Sequence, residues 1–296
     1  MTDTVSPPEV VDLDMAAVEE VVARALDEDV GSGDVTTSAC VPPGAVGVGR
    51  MVAKAQGVVA GLPVAASVFQ RAEPSLAVKP EVAEGHTVEP GGVLMVVEGP
   101  LAGQLMAERV ALNFVQRLSG IATLTRRCVE SASPHGVTIL DTRKTTPGLR
   151  ALERYAVRVG GGQNWRAGLF DRVLIKDNHI AAAGGVRAAF EKVRAAYGEQ
   201  DPVVVEVANA EQLDEALALD VDRIMLDNFS TEAIREAVRA AAGRVALEVS
   251  GGVTAETVEA IAACGVDYIS IGALTHAAPA LDISFAVTPS AGKGGS

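Results

Sequence analysis

One pattern recurs six times in the second half of the chain, and it restricts the fold more than any other feature. From about residue 120 the apolar runs "VTIL", "RVLI", "VVVEV", "RIML", "VALEV" and "YISI" follow one another, separated by Ala-rich helical stretches. Strand–helix alternation of this kind makes the strands parallel. A weak internal echo points the same way. "VEVANAEQLDEALALDVDRIMLDN" and "LEVSGGVTAETVEAIAACGVDYISIGAL" share the order strand, helix, Val-Asp, strand. Repeated βα units of that size predict a barrel. An open doubly wound sheet is the competing arrangement, and the lack of a GxGxxG after a strand lowers it.

The first part reads differently. "MAAVEEVVARALDEDV" has helical periodicity and stops at Gly31-Ser32-Gly33. Short strands are expected at 47–53 and 58–60, and "GHTVEPGGVLMVVEG" reads as turn, strand, Pro-Gly turn, strand. That pattern also occurs in biotinyl and lipoyl carrier domains, but no hairpin with a modifiable lysine flanks it, so a structural sandwich is the better reading. "GQLMAERVALNFVQRL" is an amphipathic helix, with Met106, Val110, Phe114 and Leu118 on one face and Arg109, Asn113 and Gln116 on the other. The expected fold class is therefore α/β: an N-terminal α/β sandwich over residues 1–119, then an incomplete parallel α/β barrel over 120–280. Residues 281–296 either pack on the first domain or are disordered.

Composition excludes some functions. The 296 residues, 48% of them apolar, suffice for one large or two smaller cores. A formal charge of −13 argues against broad nucleic-acid or anionic-membrane binding, though not against a local basic pocket. Cys40, Cys128 and Cys264 are scattered without a CxxC pair, which fits a reducing, cytoplasmic setting and no cysteine metal site. The start is polar and acidic rather than a signal peptide, and no apolar run is long enough to span a bilayer.

In a β/α barrel the chemistry collects at the C-terminal ends of the strands. Here those ends deliver, in turn, Asp141-Thr142-Arg143-Lys144, Lys176-Asp177-Asn178-His179, Glu206, Asp227-Asn228, Ser250-Gly251-Gly252 and Gly272. Helix capping explains one such end; six on one rim read as a site. Arg143, Lys144, Arg166 and Lys176 concentrate cations in an acidic protein, suited to carboxylate or phosphate. Glu206 and Asp227 are placed to hold a hard cation such as Mg²⁺, or else to pair with the rim cations. The two glycine turns are read as opening helices where barrels often bind phosphate, or else as plain left-handed turns. His179 and His276 either touch ligand or pack behind the site, and His86 and His135 fall in loops.

These residues together resemble the quinolinate phosphoribosyltransferase family, the decarboxylating nicotinate-nucleotide pyrophosphorylases. The similarity runs through "DEDVGSGDVTT", "AERVALNFVQRLSGIAT", "DTRKTTPGLR", "YAVRVGGGQNWRAGL", "LIKDNH", "LDN", "SGG" and "GALTH", nearly the whole chain. The resemblance implies a phosphoribosyltransferase that joins phosphoribosyl pyrophosphate to a small aromatic acid, quinolinate, giving nicotinate mononucleotide, pyrophosphate and CO₂ with Mg²⁺. It implies a homodimer with shared active sites, or a higher oligomer, in which Arg109 reaches the partner's site. Arg143, Arg166 and Lys176 would clamp the acid, Lys144 the phosphoryl oxygens, and Glu206 and Asp227 the Mg²⁺ and ribose. Ser250, Gly251 and Gly272 would cradle phosphate, with Thr142, Gly252, His179 and His276 nearby. One position departs from the family pattern: in Asn164-Trp165-Arg166, Trp165 stands where the family's Asn-His-Arg has His. It can stack on a ring but cannot act as an imidazolium. Two readings compete with the family reaction. One is transfer to a different heterocyclic acid, and the other is a non-catalytic anion-binding subunit.

Overall fold

The computed structural model describes residues 12–198 and 202–290. They gather into two compact units: 12–124, 146–161 and 278–290 form one, and 125–145 with 162–277 form the other.

The first unit begins at α1 (Met15–Val30). The Asp14 carboxylate accepts the N–H groups of Ala16 and Ala17, satisfying donors that a helix start leaves unpaired. Val18, Val22 and Leu26, four residues apart, form its buried stripe. Asp34 caps α2 (Val35–Cys40) in the same manner. β1 (Val46–Ala53), β2 (Gly57–Val58), α3 (Leu62–Ala72), β3 (Ala77–Pro80), β4 (Thr87–Val88), β5 (Val93–Pro100) and α4 (Leu101–Ala132) come next. β1 pairs antiparallel with β5 on one side and with the C-terminal strand Ile283–Pro289 on the other, and β3 pairs with β5. Phe69 of α3 meets Phe285 of that last strand with ring centroids 5.3 Å apart. The expected α/β sandwich is thus present, and the tail contributes a strand to it; residues 291–296 lie outside the described residues. The Pro-Gly turn does not close a hairpin. β4 pairs with β2 and β5 with the larger sheet, so the turn passes the chain between sheets.

α4 is much longer than the helix expected from "GQLMAERVALNFVQRL". The expected helix ends before Ser119-Gly120, yet α4 runs through them, and Ile121, Ala122 and Cys128 continue the buried face. Gly120 serves close approach instead: a Cβ there would lie 2.0 Å from the carbonyl oxygen of Pro279. α5 (Arg150–Val159) also departs from a boundary at 119/120, because it clusters with the first unit. Its fully buried Glu153 accepts from Arg117 (2.9 Å), from the Thr146 N–H (3.0 Å) and from the Thr146 hydroxyl (2.7 Å). The Tyr155 hydroxyl donates to Glu84 at 2.6 Å. These polar groups bind α5 to α4 and to the β-rich layer, which apolar periodicity does not reveal.

The second unit holds β6 (Thr138–Leu140), β7 (Val173–Ile175), β8 (Val203–Val207), β9 (Arg223–Asp227), β10 (Ala246–Ser250) and β11 (Tyr268–Ser270). Between them run α6 (Asp177–Ala183), α7 (Val186–Tyr197), α8 (Ala210–Leu217), α9 (Thr231–Ala241), α10 (Val258–Ala262) and α11 (Ala273–His276); the C-terminal strand of the first unit is β12. The six strands form one parallel sheet in the order β6-β11-β10-β9-β8-β7. Its outer strands, β6 and β7, are not paired with each other, and a single parallel bridge, Leu140 to Gln163, continues past β6. The barrel is therefore incomplete, as expected. Ile224, Met225 and Leu226 are consecutive and all buried, as a strand covered on both faces requires. Among the described residues no helix is long and apolar enough to cross a membrane.

Glu153 gives this fold a direct test. Glu153→Ala leaves Arg117 and two Thr146 donors without their acceptor and is expected to cost about 3 kcal/mol, measured as a fall in the urea unfolding midpoint.

Candidate active site

The parallel register brings the strand ends to one cavity of 710 Å³, a size suited to small molecules. Glu206 lies level with Met225 across β8 and β9, and Asp227 lies level with Ser250 across β9 and β10. Residues two apart on a strand share a face, so Met225 and Asp227 both line the cavity with Glu206 beside them.

The β6 end carries the cations. After Leu140 the chain turns through buried Asp141 to Thr142, Arg143 and Lys144. The Thr142 hydroxyl accepts the Lys144 N–H at 3.1 Å, and the Thr275 hydroxyl donates to the Lys144 carbonyl at 2.7 Å. Asp141 organises the neighbouring loop. Its carboxylate accepts the Asn164 side-chain amide at 2.8 Å and the Trp165 N–H at 2.9 Å, while its own N–H donates to the Gln163 carbonyl. That loop presents Arg166, only 8% exposed, whose Nε has no hydrogen-bond partner. Burial first, and then the charge of Arg143, hold the Arg166 pKa below the usual guanidinium value. A guanidinium stays protonated in proteins. Two of them kept together with a buried donor unsatisfied describe a site that favours a bound anion.

The opposite wall holds the acids. Lys176 directly follows β7 and donates to Glu206 at 2.7 Å, so one carboxylate of the expected metal pair is engaged by a rim cation. Asp227 accepts the Asn228 side-chain amide at 2.9 Å. Asn228 is held at φ 58°, its N–H donating to the Ser250 carbonyl. Among the described residues no three His, Cys, Asp or Glu side chains gather into a metal cluster. Two carboxylates on adjacent strands still fit a Mg²⁺ that takes its remaining ligands from a phosphate-bearing substrate and water, which is how this ion is usually held.

The glycines differ from expectation in one respect. Gly272 is the N-cap of α11, but residues 253–257 separate Gly252 from α10, so Ser250-Gly251-Gly252 is a free-standing turn. Gly251 has φ 92°, and a Cβ on it would meet the Asn228 side chain at 2.4 Å. A Cβ at Gly272 would lie 2.8 Å from the Lys144 side chain and 3.3 Å from His276. The missing side chain of Gly251 thus makes room for Asn228, and that of Gly272 for Lys144.

Of the residues expected at the site, Thr142, Arg143, Lys144, Trp165, Arg166, Lys176, Glu206, Asp227, Ser250, Gly251, Gly252, Gly272 and His276 line this cavity. His179 does not. It is exposed, and its Nδ1 accepts the Lys176 N–H at 3.0 Å, capping α6. Arg109 is exposed on α4 and is not among the lining residues. Asp141, Asn228 and Thr275 are positioning groups: the first two fall at expected strand ends without a role assigned from the residue pattern, and Thr275 is not singled out by it. An Asp at a strand end, a single Asn and a Thr carry no distinct signal until their hydrogen bonds are seen.

Comparison with known proteins agrees with this arrangement. Residues 34–119 match the family model described as quinolinate phosphoribosyl transferase, N-terminal domain, and residues 121–286 match the C-terminal domain of the same family. The chain belongs to the quinolinate phosphoribosyltransferase family. It is 45% identical over 278 residues to the nicotinate-nucleotide pyrophosphorylase [carboxylating] of Mycobacterium leprae, covering 92% of this chain and 98% of that one. It is 43% identical over 261 residues to a probable enzyme of the same name from Bacillus subtilis, covering 88% and 90%. Among solved structures, that of NadC from Streptococcus pyogenes superposes with a TM-score of 0.90 at 40% identity, covering 95% of this chain and 99% of that one.

The cationic rim makes an immediate prediction for a member of this family. Pyrophosphate is expected to raise the Tm, an effect that shrinks as salt is added and is smaller in Lys144→Ala, read by thermal unfolding.

Proposed function

We propose that this chain transfers the phosphoribosyl group of phosphoribosyl pyrophosphate to quinolinate, releasing pyrophosphate and CO₂ and yielding nicotinate mononucleotide. The observation that carries this reading is the pairing, in one cavity, of Arg143, buried Arg166 and Lys176 with Glu206 and Asp227. Quinolinate brings two carboxylates on a planar ring, and Arg offers each a planar fork. Trp165, Leu174 and Met225 supply the apolar surface that a ring needs. The relatives' shared name supports the same reaction.

The chemistry is positioning and charge stabilisation. The pyridine nitrogen attacks the ribose carbon as the bond from that carbon to the pyrophosphate oxygen breaks, and positive charge develops on the ribose. In this reading Glu206 and Asp227 would face that charge, and Lys144 would receive the departing oxygens. Mg²⁺ held by Glu206 and Asp227 would neutralise charge on the leaving diphosphate. The nitrogen is then a pyridinium. The carboxylate next to it leaves as CO₂, its bonding electrons stay on the ring carbon, and that carbon takes a proton. Ser250, Gly251 and Gly272 offer backbone room for a phosphate.

Catalysis by a homodimer is part of the proposal. Arg109 is exposed on α4, and in this proposal the partner subunit's Arg109 completes the site. Leu169, Phe170 and Tyr197, which are 74%, 89% and 65% exposed, line one hollow beside β7 and give an apolar face for such a partner.

The test is incubation with phosphoribosyl pyrophosphate, Mg²⁺ and a panel of pyridine acids, read by mass spectrometry. Nicotinate mononucleotide from quinolinate is expected. A nucleotide from another acid alone would reassign the acceptor, and none at all would favour an anion-binding subunit. Glu206→Ala and Asp227→Ala are expected to lower kcat at least tenfold and to flatten its dependence on Mg²⁺. Mixing inactive Arg109→Ala chains with inactive Lys144→Ala chains should restore activity through heterodimers carrying one intact site. Confirmed heterodimers without activity would remove the shared site.

A further inference from the structure

Trp165 is the only tryptophan of the chain, and it is held from three directions. Its backbone N–H donates to Asp141. Its ring packs on Leu174, Val204 and Met225. The guanidinium carbon of Arg223 stands over the ring, 5.5 Å from its centroid. Arg223 does not line the cavity, and its own placement is strongly determined. Its guanidinium lies 3.8 Å from the centroid of the Tyr268 ring, and its Nη1 donates to Glu248 at 2.8 Å. Glu248 is fully buried and accepts a second, very short hydrogen bond from Ser270. These residues sit on three neighbouring strands in fixed register, Glu248 level with Met225 on one side and with Tyr268 on the other. A buried carboxylate with both partners in place leaves the arginine little freedom, because moving it would strand a charge in the interior.

We propose that Arg223 is a positioning residue for acceptor selectivity: gripped by Glu248 and Tyr268, it fixes the plane of the Trp165 ring so that the cavity side of that ring stacks on a planar aromatic acid whose carboxylates reach Arg143, Arg166 and Lys176. This deepens the proposed reaction and rests on it for the identity of the acid. The contribution is geometric. An indole packed on side chains alone can tilt, whereas a guanidinium over one face favours one orientation through the ring quadrupole. Lysine would keep the charge beside Glu248 but not the planar surface between two rings.

The lone tryptophan makes the test direct, since the emission of the intact protein comes from this residue. Quinolinate, nicotinate and phthalate are titrated against that emission, and KM is measured separately for the acid and for phosphoribosyl pyrophosphate. Two variants are used: Arg223→Met combined with Glu248→Gln, which leaves no unpaired charge, and Arg223→Lys. In the wild type at least one acid is expected to change Trp165 emission. In both variants the emission of the free protein should shift, and the Kd and KM for the acid should rise about three- to tenfold. KM for phosphoribosyl pyrophosphate should stay unchanged. Should the double variant not fold, Arg223→Lys decides by the same Kd. No response of Trp165 to any acid, an acid Kd unchanged in the variants, or acid and phosphoribosyl pyrophosphate affinities falling together would overturn the proposal. Wild-type protein that forms no nicotinate mononucleotide would refute the reaction, while the emission titrations would still decide the role of Arg223.

Discussion

Parallel pairing of six strands is the constraint on which the rest of the molecule depends. It sends every strand to the same rim, and its register decides which side chains face inward there. Side chains alternate along a strand, so a slip of one residue would turn Asp227 and Met225 away from the cavity and Leu226 into it. The register is secured by buried apolar residues on β8, β9 and β10, including Val205, Ile224 and Leu247. The site is a consequence of that packing: Glu206, Asp227 and Ser250 are near one another because Val205, Ile224 and Leu247 are.

Charge is distributed against the trend of the whole. The chain carries −13, yet the cavity gathers Arg143, Lys144, Arg166 and Lys176. Arg166 is buried there with a donor unsatisfied, an arrangement that costs free energy and that a bound anion would offset. Acids nearby are turned to other tasks. Asp141 shapes the loop that carries Asn164 and Trp165, and Glu248 holds Arg223 below it. A net charge of −13 opposes polyanions in general, while the field of these four cations favours small anions locally.

Much of this was legible in the residues. The alternation of apolar runs and Ala-rich helices implied the parallel sheet, and the residues directly after each apolar run make up most of the cavity lining. The misses share a cause. The helix expected to end at Leu118 runs on as α4, and Gly120 within it serves packing, its missing side chain making room for Pro279. The membership of α5 in the first unit rests on Glu153 and Tyr155, polar residues that periodicity counts as exposed. His179, close in sequence to Lys176, was expected at the site, but a helix begins at Asp177 and its ring caps that helix.

By itself the sequence determined the elements, the parallel sense of the second sheet and the kinds of group on its rim, because these arise from local periodicity and chain order. Only the tertiary structure decided which rim groups meet, that Lys176 engages Glu206, and that Arg166 is buried with an unpaired donor. It alone set Trp165 over Arg223 and bound that arginine to Glu248 and Tyr268. Such pairings join residues far apart in the chain through distance, burial and hydrogen-bond geometry, and no local pattern of residue types encodes them.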